Sequence, residues 1–338
     1  MQTLSQSQLE AALSAAQDAD ASPEERAEML MEIAMGLQQR PKSPQQLADA
    51  VQLYERALAV APEAAALLRA RIGARMGTAL QALPEGGAHS LERAQTCFAN
   101  AIPALQAHGH LEEVAEVELN QGLVMQALTG LGRGRITDAI SAYHRSLRTF
   151  TRERHPQEYA VLHNNLAVCY LSMPATDERG RMREALAVQS FEEVLKVINL
   201  IDHPSEYAMI QNNLGNALQY VSSSHVLENN LRALAAYDEA LRVRNPRDTP
   251  LEYANTIANK ANVLRGLVPD SAAEAGGNRG PGDPVAEFLA DPLSEALALV
   301  REAQALFDAH GDTHKASMMQ ESAAEMAAEL AQRRAPRD

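Results

Sequence analysis

The side chains best suited to chemistry in this chain are asparagines that return at fixed distances. Asn164-Asn165, Asn212-Asn213 and Asn259 follow the phrases Pro156-Gln157-Glu158-Tyr159-Ala160, Pro204-Ser205-Glu206-Tyr207-Ala208 and Pro250-Leu251-Glu252-Tyr253-Ala254. Asn165, Asn213 and Asn259 each stand five residues after the alanine, and Asn120 stands five after Ala115. An amide offers both a donor and an acceptor, so a row of them can hold the main chain of an extended peptide whatever its side chains. Asn164, Asn212 and Asn255 before that position, and Asn216 and Asn262 after it, extend the same surface. Arg71 and Arg265 add positive charge at its two ends. The competing reading is that these asparagines tie loops or helices together. Asn is a poor mid-helix residue, costing tenths of a kcal/mol each time, which favours a binding role.

A second cluster is basic. Arg145, Arg148 and Arg152 follow helical spacing, with Arg133, Arg135 and Arg154 nearby and only Asp138 and Glu153 opposing them. Guanidinium groups suit carboxylate or phosphate, so this island could dock an acidic partner. The plainer reading, a solvated outer face paired with local acids, is the one favoured. The ten histidines sit mainly at loops and helix starts, and none has a zinc-helix spacing. Cys97 and Cys169 read as reduced, apolar-facing residues. With no phosphate-cradling glycine loop and no nucleophile signature, the chain reads as neither an enzyme nor a metal or cofactor protein.

These residues need elements to position them, and the repeat supplies them. Taking the alanine of the phrase as an anchor, first helices are expected around Ala27, Ala66, Ala115, Ala160, Ala208, Ala254 and Ala316, at steps of 39, 49, 45, 48, 46 and 62 residues. Between them runs a second pattern of alanine, aromatic, small residue and aliphatic. It reads Ala50-Tyr54-Ala57-Leu58, Ala94-Phe98-Ala101-Ile102, Ala139-Tyr143-Ser146-Leu147, Ala187-Phe191-Val194-Leu195 and Ala233-Tyr237-Ala240-Leu241, with a degenerate copy at Ala296, Val300 and Ala303. Spacings of four and three place each set on one helical face. Ser22-Pro23-Glu24-Glu25 is a helix start, and Thr249-Pro250-Leu251-Glu252 repeats its grammar. His155 and His203 take the cap position in the other two phrases. The absence of Trp and an aromatic content of 4% exclude a strand-rich fold.

The pattern resembles tetratricopeptide repeats, in which Leu-Gly/Ala-x-x-Tyr on a first helix meets Ala-x-x-x-Phe/Tyr-x-x-Ala-Leu on a second. Leu166-Ala167 with Tyr170, Leu214-Gly215 with Leu218, and Tyr54 followed by Pro62 carry the likeness. The paired asparagines are similar to the longer repeats of kinesin light chains and bacterial signalling proteins. The units here are longer than usual and none contains Trp. The resemblance implies an all-α, right-handed α-solenoid of stacked antiparallel hairpins, with the asparagine column on its concave side.

The expected organisation is an N-terminal helix over 1–21 and a superhelix over 22–334, ending in a tail at 335–338. The superhelix holds about six hairpins and a C-terminal capping helix. Residues 266–291, rich in Gly and Pro, read as a flexible insertion. The implied function is a non-catalytic scaffold, adaptor or assembly factor, part of or accessory to a larger complex, holding an extended or acidic protein segment in the groove. The alternative is a regulatory array that binds a signalling peptide or small ligand and changes curvature. A net charge of −14 argues against nucleic acid. No apolar run is long enough to span a membrane and no secretion signal is evident, so a cytoplasmic location is expected.

Overall fold

Proline in the first turn starts helices because its missing N–H has no partner to lose there and its φ is already helical. Among the described residues six of the thirteen helices begin with it; the computed structural model describes residues 21–84, 86–174, 178–221, 225–267 and 291–334, with Glu10 and Ser14. The expected 1–21 helix, most of the 266–291 insertion and the 335–338 tail lie outside the described residues. Every regular element among the described residues is an α-helix, and successive helices pack in pairs. No helix among them is long and apolar enough to cross a membrane.

The chain forms two compact units, residues 1–169 and 170–338. The first holds α1 (Pro23–Gln39), α2 (Pro44–Val60), α3 (Ala66–Gln81), α4 (Gly87–His108), α5 (Leu111–Gly130) and α6 (Ile136–Ser146), and α7 (Pro156–Leu171) closes it. Each helix from α1 to α5 packs on the next, while α1 also touches α3 and α3 touches α5. The first helices of successive hairpins therefore form a layer of their own. The second unit holds α8 (Glu178–Leu195), α9 (Pro204–Tyr220), α10 (Val226–Leu241), α11 (Pro250–Gly266), α12 (Pro292–Ala309) and α13 (Thr313–Arg334). Here too neighbours pack in order, and α9 touches α11.

The second-helix pattern is the core. Tyr54, Phe98, Tyr143, Phe191 and Tyr237 are all fully buried, and so are Ala50, Ala94, Ala139, Ala187 and Ala233 four residues before them. Burying each ring contributes roughly 1.5–3 kcal/mol. Three of the rings seat on a glycine of their hairpin's first helix: a Cβ added to Gly77, Gly122 or Gly215 would fall 2.6, 2.4 or 2.7 Å from Phe98, Tyr143 or Tyr237. In the last hairpin Val300 takes the aromatic position and Phe307, two turns on, is the buried ring.

The same seating corrects one anchor. Ala66 is exposed whereas Ala70 is buried, and Gly77 stands seven residues past Ala70, as Gly122 does past Ala115 and Gly215 past Ala208. The second hairpin's anchor is thus Ala70, and its column residue is Arg75 rather than Arg71. Anchor steps become 43 and 45 in place of 39 and 49.

Ser22 and Glu25 form the expected capping box, Glu25 N–H donating to Ser22 Oγ at 3.2 Å and Ser22 N–H to Glu25 Oε2 at 2.8 Å. At Thr249 and His203 the caps differ from expectation, since neither side chain caps its helix. Two identical loops set those starts instead. Asn199 Oδ1 accepts from Ile201 and Asp202 N–H, and Asn245 Oδ1 from Arg247 and Asp248 N–H, each amide also donating to the aspartate. Such side-chain turns compete with the helix and so fix where it begins.

On the second helices, Arg93 of α4 pairs with Glu55 of α2 at 2.5 Å, and Arg232 of α10 pairs with Glu192 of α8. Arg133, before α6, reaches Glu92 of α4 at 2.6 Å. These exposed rungs are individually worth little.

Candidate functional site

In the first unit the column positions meet in one place. Met31, Glu32 and Met35 of α1, Arg71, Ala74, Arg75 and Thr78 of α3, and Glu113, Glu116, Val117 and Asn120 of α5 line an open cleft of about 630 Å³, with Leu105 of α4 behind them. Glu32, Arg75 and Asn120 are the fifth residues past their anchors, so the repeat brings equivalent positions of three helices onto one surface. The two methionines give it an adaptable apolar wall.

Its charges are largely spoken for. Arg71 donates through Nε to Glu113 Oε1 at 2.7 Å and through Nη2 to Oε2 at 3.1 Å. Arg75 reaches Glu116 at 3.3 Å. The Arg71 hydrogen bonds hold the Glu113 carboxyl below the usual range, partial burial pulls the other way, and the His110 N–H adds to the lowering. Arg71 is thus a strut from α3 to α5 before it is a source of positive charge. Among the described residues Glu32 makes no ion pair, and the cleft as a whole carries three acids and two arginines.

Arg265 behaves alike in the second unit. It joins α11 to α13, pairing with Glu325 at 3.0 Å and with both oxygens of Glu329. Two acids of the α13 face are therefore engaged with a neighbouring helix.

The asparagines separate into two groups. Asn120, Asn165 and Asn213 are half-buried and, among the described residues, make no side-chain hydrogen bond. Asn262 is exposed and likewise makes none. Others are engaged internally. Asn216 Oδ1 accepts the Tyr237 hydroxyl at 2.7 Å, Asn255 donates to Leu251 O at 2.7 Å, and Asn259 reaches across to Asn212 Oδ1 at a long 3.4 Å. Asn164 Oδ1 is shielded from solvent and accepts nothing among the described residues.

The basic island is not a helical face. Helix α6 ends at Ser146, where the chain turns through Arg148 N–H to Arg145 O and Phe150 N–H to Ser146 O and buries Phe150. Arg148 and Arg152 therefore lie in turns. Arg145 remains on the helix and is drawn inward to buried Glu118 at 2.9 Å and to Gln121. Among the described residues Arg152 pairs with its neighbour Glu153, at 3.4 Å.

Two of the three repeated tyrosines bond through their tips within a hairpin. Tyr207 donates to Glu239 at 2.8 Å and Tyr253 to Glu302 at 3.1 Å, in each case two residues past the second-helix aromatic position. Cys97 and Cys169 form no disulfide among the described residues, and burial raises both thiols, Cys169 to about 12. Among the described residues no group of His, Cys, Asp or Glu side chains is arranged to hold a metal ion.

The sequence pattern pointed to the column, yet it did not reveal that Met31, Met35, Glu113 and Glu116 share the cleft. Glu113 carried a signal, since it stands three residues after the cap of α5, and Met31 and Met35 are spaced by one helical turn. No known protein-family model matches the chain. No curated protein matches it either.

Proposed function

We propose that the chain is a non-catalytic binding protein of the tetratricopeptide type, a right-handed array of helix hairpins whose first helices receive a segment of a partner polypeptide. The observation that supports this most is the cleft across α1, α3 and α5, where Glu32, Arg75 and Asn120 converge beside two methionines. The Asn120, Asn165 and Asn213 amides have no side-chain partner among the described residues. A half-buried amide without an internal partner has donor and acceptor capacity to give to a peptide main chain. Grooves of this kind read the backbone through such groups and the side chains through apolar neighbours. The role is that of a scaffold, adaptor or assembly factor, and its setting is cytoplasmic.

The test is selection of displayed random peptides on the full chain, compared with an Asn120→Ala/Asn165→Ala/Asn213→Ala variant of unchanged helical circular dichroism. Sequence-convergent peptides that bind the wild type and not the variant support the reading. Failure to enrich, or binding indifferent to the three amides, overturns it.

A further inference from the structure

The three positions that meet beside each anchor are filled differently in each hairpin, and in one hairpin no hydrogen bond joins them among the described residues. They are the residue before the anchor, the third residue after it, and the second residue past the second-helix aromatic position. In the α9–α10 hairpin these are Tyr207, Gln211 and Glu239, joined by hydrogen bonds from Gln211 Nε2 to the Tyr207 hydroxyl at 3.0 Å and from that hydroxyl to Glu239. In α11–α12 they are Tyr253, Ile257 and Glu302, with Tyr253 on Glu302. In α5–α6 the positions hold Val114, Glu118 and Arg145, the latter two an ion pair. In α3–α4 they hold Arg69, Gly73 and Asn100.

That last set cannot close its own slot. Arg69 turns away and donates to Leu58 O and Ala61 O at 2.8 and 2.7 Å, serving the end of α2. Gly73 has no side chain, and a Cβ there would meet only Cys97 O, at 3.9 Å. Asn100 is exposed and makes no side-chain hydrogen bond among the described residues. All three line a cleft of about 810 Å³ walled by Ala70, Met76 and Ala101. It shares no lining residue with the cleft across α1, α3 and α5.

We propose that this slot between α3 and α4 binds a phenol ring, presented as a tyrosine side chain of a partner polypeptide. The molecule's own hairpins supply the precedent: where Arg69 and Asn100 stand here, α9–α10 and α11–α12 have a first-helix tyrosine whose hydroxyl lies on a second-helix carboxylate, and Arg69, turned to the end of α2, leaves Asn100 without that partner. A tyrosine from outside would rest its ring over Gly73 and Ala70 and donate its hydroxyl to the Asn100 amide oxygen. An amphipathic ring with an apolar body and one polar tip suits a slot with an apolar floor and a polar rim of Glu63, Arg69 and Asn100.

The experiment is an NMR titration of the full chain with p-cresol, toluene and the blocked peptide acetyl-Gly-Tyr-Gly-amide, following the Gly73 amide and the Met76 methyl. Saturable shifts with p-cresol and the tyrosine peptide, with toluene about tenfold weaker, are expected. Gly73→Leu, which supplies the residue that Leu30 provides three past the first anchor, should abolish them. Asn100→Ala, an exposed change that leaves folding intact, should close the gap between p-cresol and toluene. Absence of saturable shifts overturns the proposal. So does p-cresol binding without peptide binding, binding that survives Gly73→Leu in a folded protein, or a toluene gap indifferent to Asn100. Should Gly73→Leu not fold, the Asn100→Ala comparison decides.

Discussion

Tyr143 donates its hydroxyl to Gln126 Oε1 at 2.8 Å while its ring occupies the space that a side chain on Gly122 would need. The pairing repeats. Tyr54 donates to Gln38 at 2.7 Å, and Tyr237 reaches Gln219 at 3.5 Å, each glutamine standing eleven residues past its anchor. In the second hairpin the glutamine is present as Gln81 but the ring is Phe98, and Gln81 Oε1 is shielded from solvent with no partner among the described residues. An orphaned buried acceptor costs about 1–3 kcal/mol. Phe98→Tyr should therefore stabilise the protein by about 1 kcal/mol, and Tyr143→Phe should destabilise it by a similar amount. Urea unfolding monitored by circular dichroism gives both signs, and a destabilised Phe98→Tyr would refute the pairing rule.

The glycine seats lead to an opposite pair of effects. Gly122→Ala gains up to about 1 kcal/mol of helix propensity but drives a Cβ to within 2.4–2.9 Å of the Tyr143 ring atoms. Overpacking of a fully buried ring typically costs about 1–3 kcal/mol, so the net change should be destabilising. Gly36→Ala meets nothing within 4 Å and should stabilise by about 0.5–1 kcal/mol. Thermal melts of the two variants should move in opposite directions.

Glu113 both caps α5 and braces it against α3. Its carboxyl is held below the unfolded value, so its contribution to stability is present above about pH 4.5 and is lost as pH falls through its folded pKa. Because Glu113 and Arg71 are 28% and 39% exposed, the Arg71 share is no more than about 1 kcal/mol. In Arg71→Ala the Glu113 titration observed by carbon-detected NMR should move up toward the ordinary carboxylate range. It should stop short of a full return, since the His110 N–H still donates to it at 2.9 Å.

Asparagines at neighbouring positions should respond differently. Asn216→Ala removes the acceptor of the buried Tyr237 hydroxyl, leaving Gln219 at 3.5 Å, and should cost about 1 kcal/mol. Asn213→Ala removes no internal hydrogen bond and should leave stability within about 0.5 kcal/mol of wild type. Chemical denaturation of the two single variants separates the asparagine that builds the hairpin from the one that belongs to the column.

The second helices were legible from sequence because a bulky ring with two small neighbours at fixed offsets fits one register alone. Helix α3 was not, since Ala66, Ala70 and Ala74 repeat every four residues and mark the same face three times. The distance to the ring settles it: Phe98 lies 28 residues past Ala70, as Tyr143 lies 28 past Ala115. The arginine cluster misled for a different reason. Helical spacing across residues 145–152 is a statement about numbering, whereas Phe150 buries itself by ending the helix. The cleft was half visible: its column positions follow from the repeat, but the Arg71–Glu113 brace joins residues 42 apart that no local pattern connects.

The surface rungs between second helices have a direction. Glu55 follows Tyr54 by one residue and Arg93 precedes Phe98 by five, and Glu192 and Arg232 stand in the same relation to Phe191 and Tyr237. Among the five hairpins with a second-helix aromatic, the Tyr237 hairpin alone carries both halves, Arg232 before the ring and Asp238 after it, so it is complementary to a copy of itself. The Phe98 hairpin is different: removing it would set Glu55 against Asp138, five residues before Tyr143, and replace an attraction with a repulsion. The rungs thus make the order of the hairpins, and not only their number, a matter of charge.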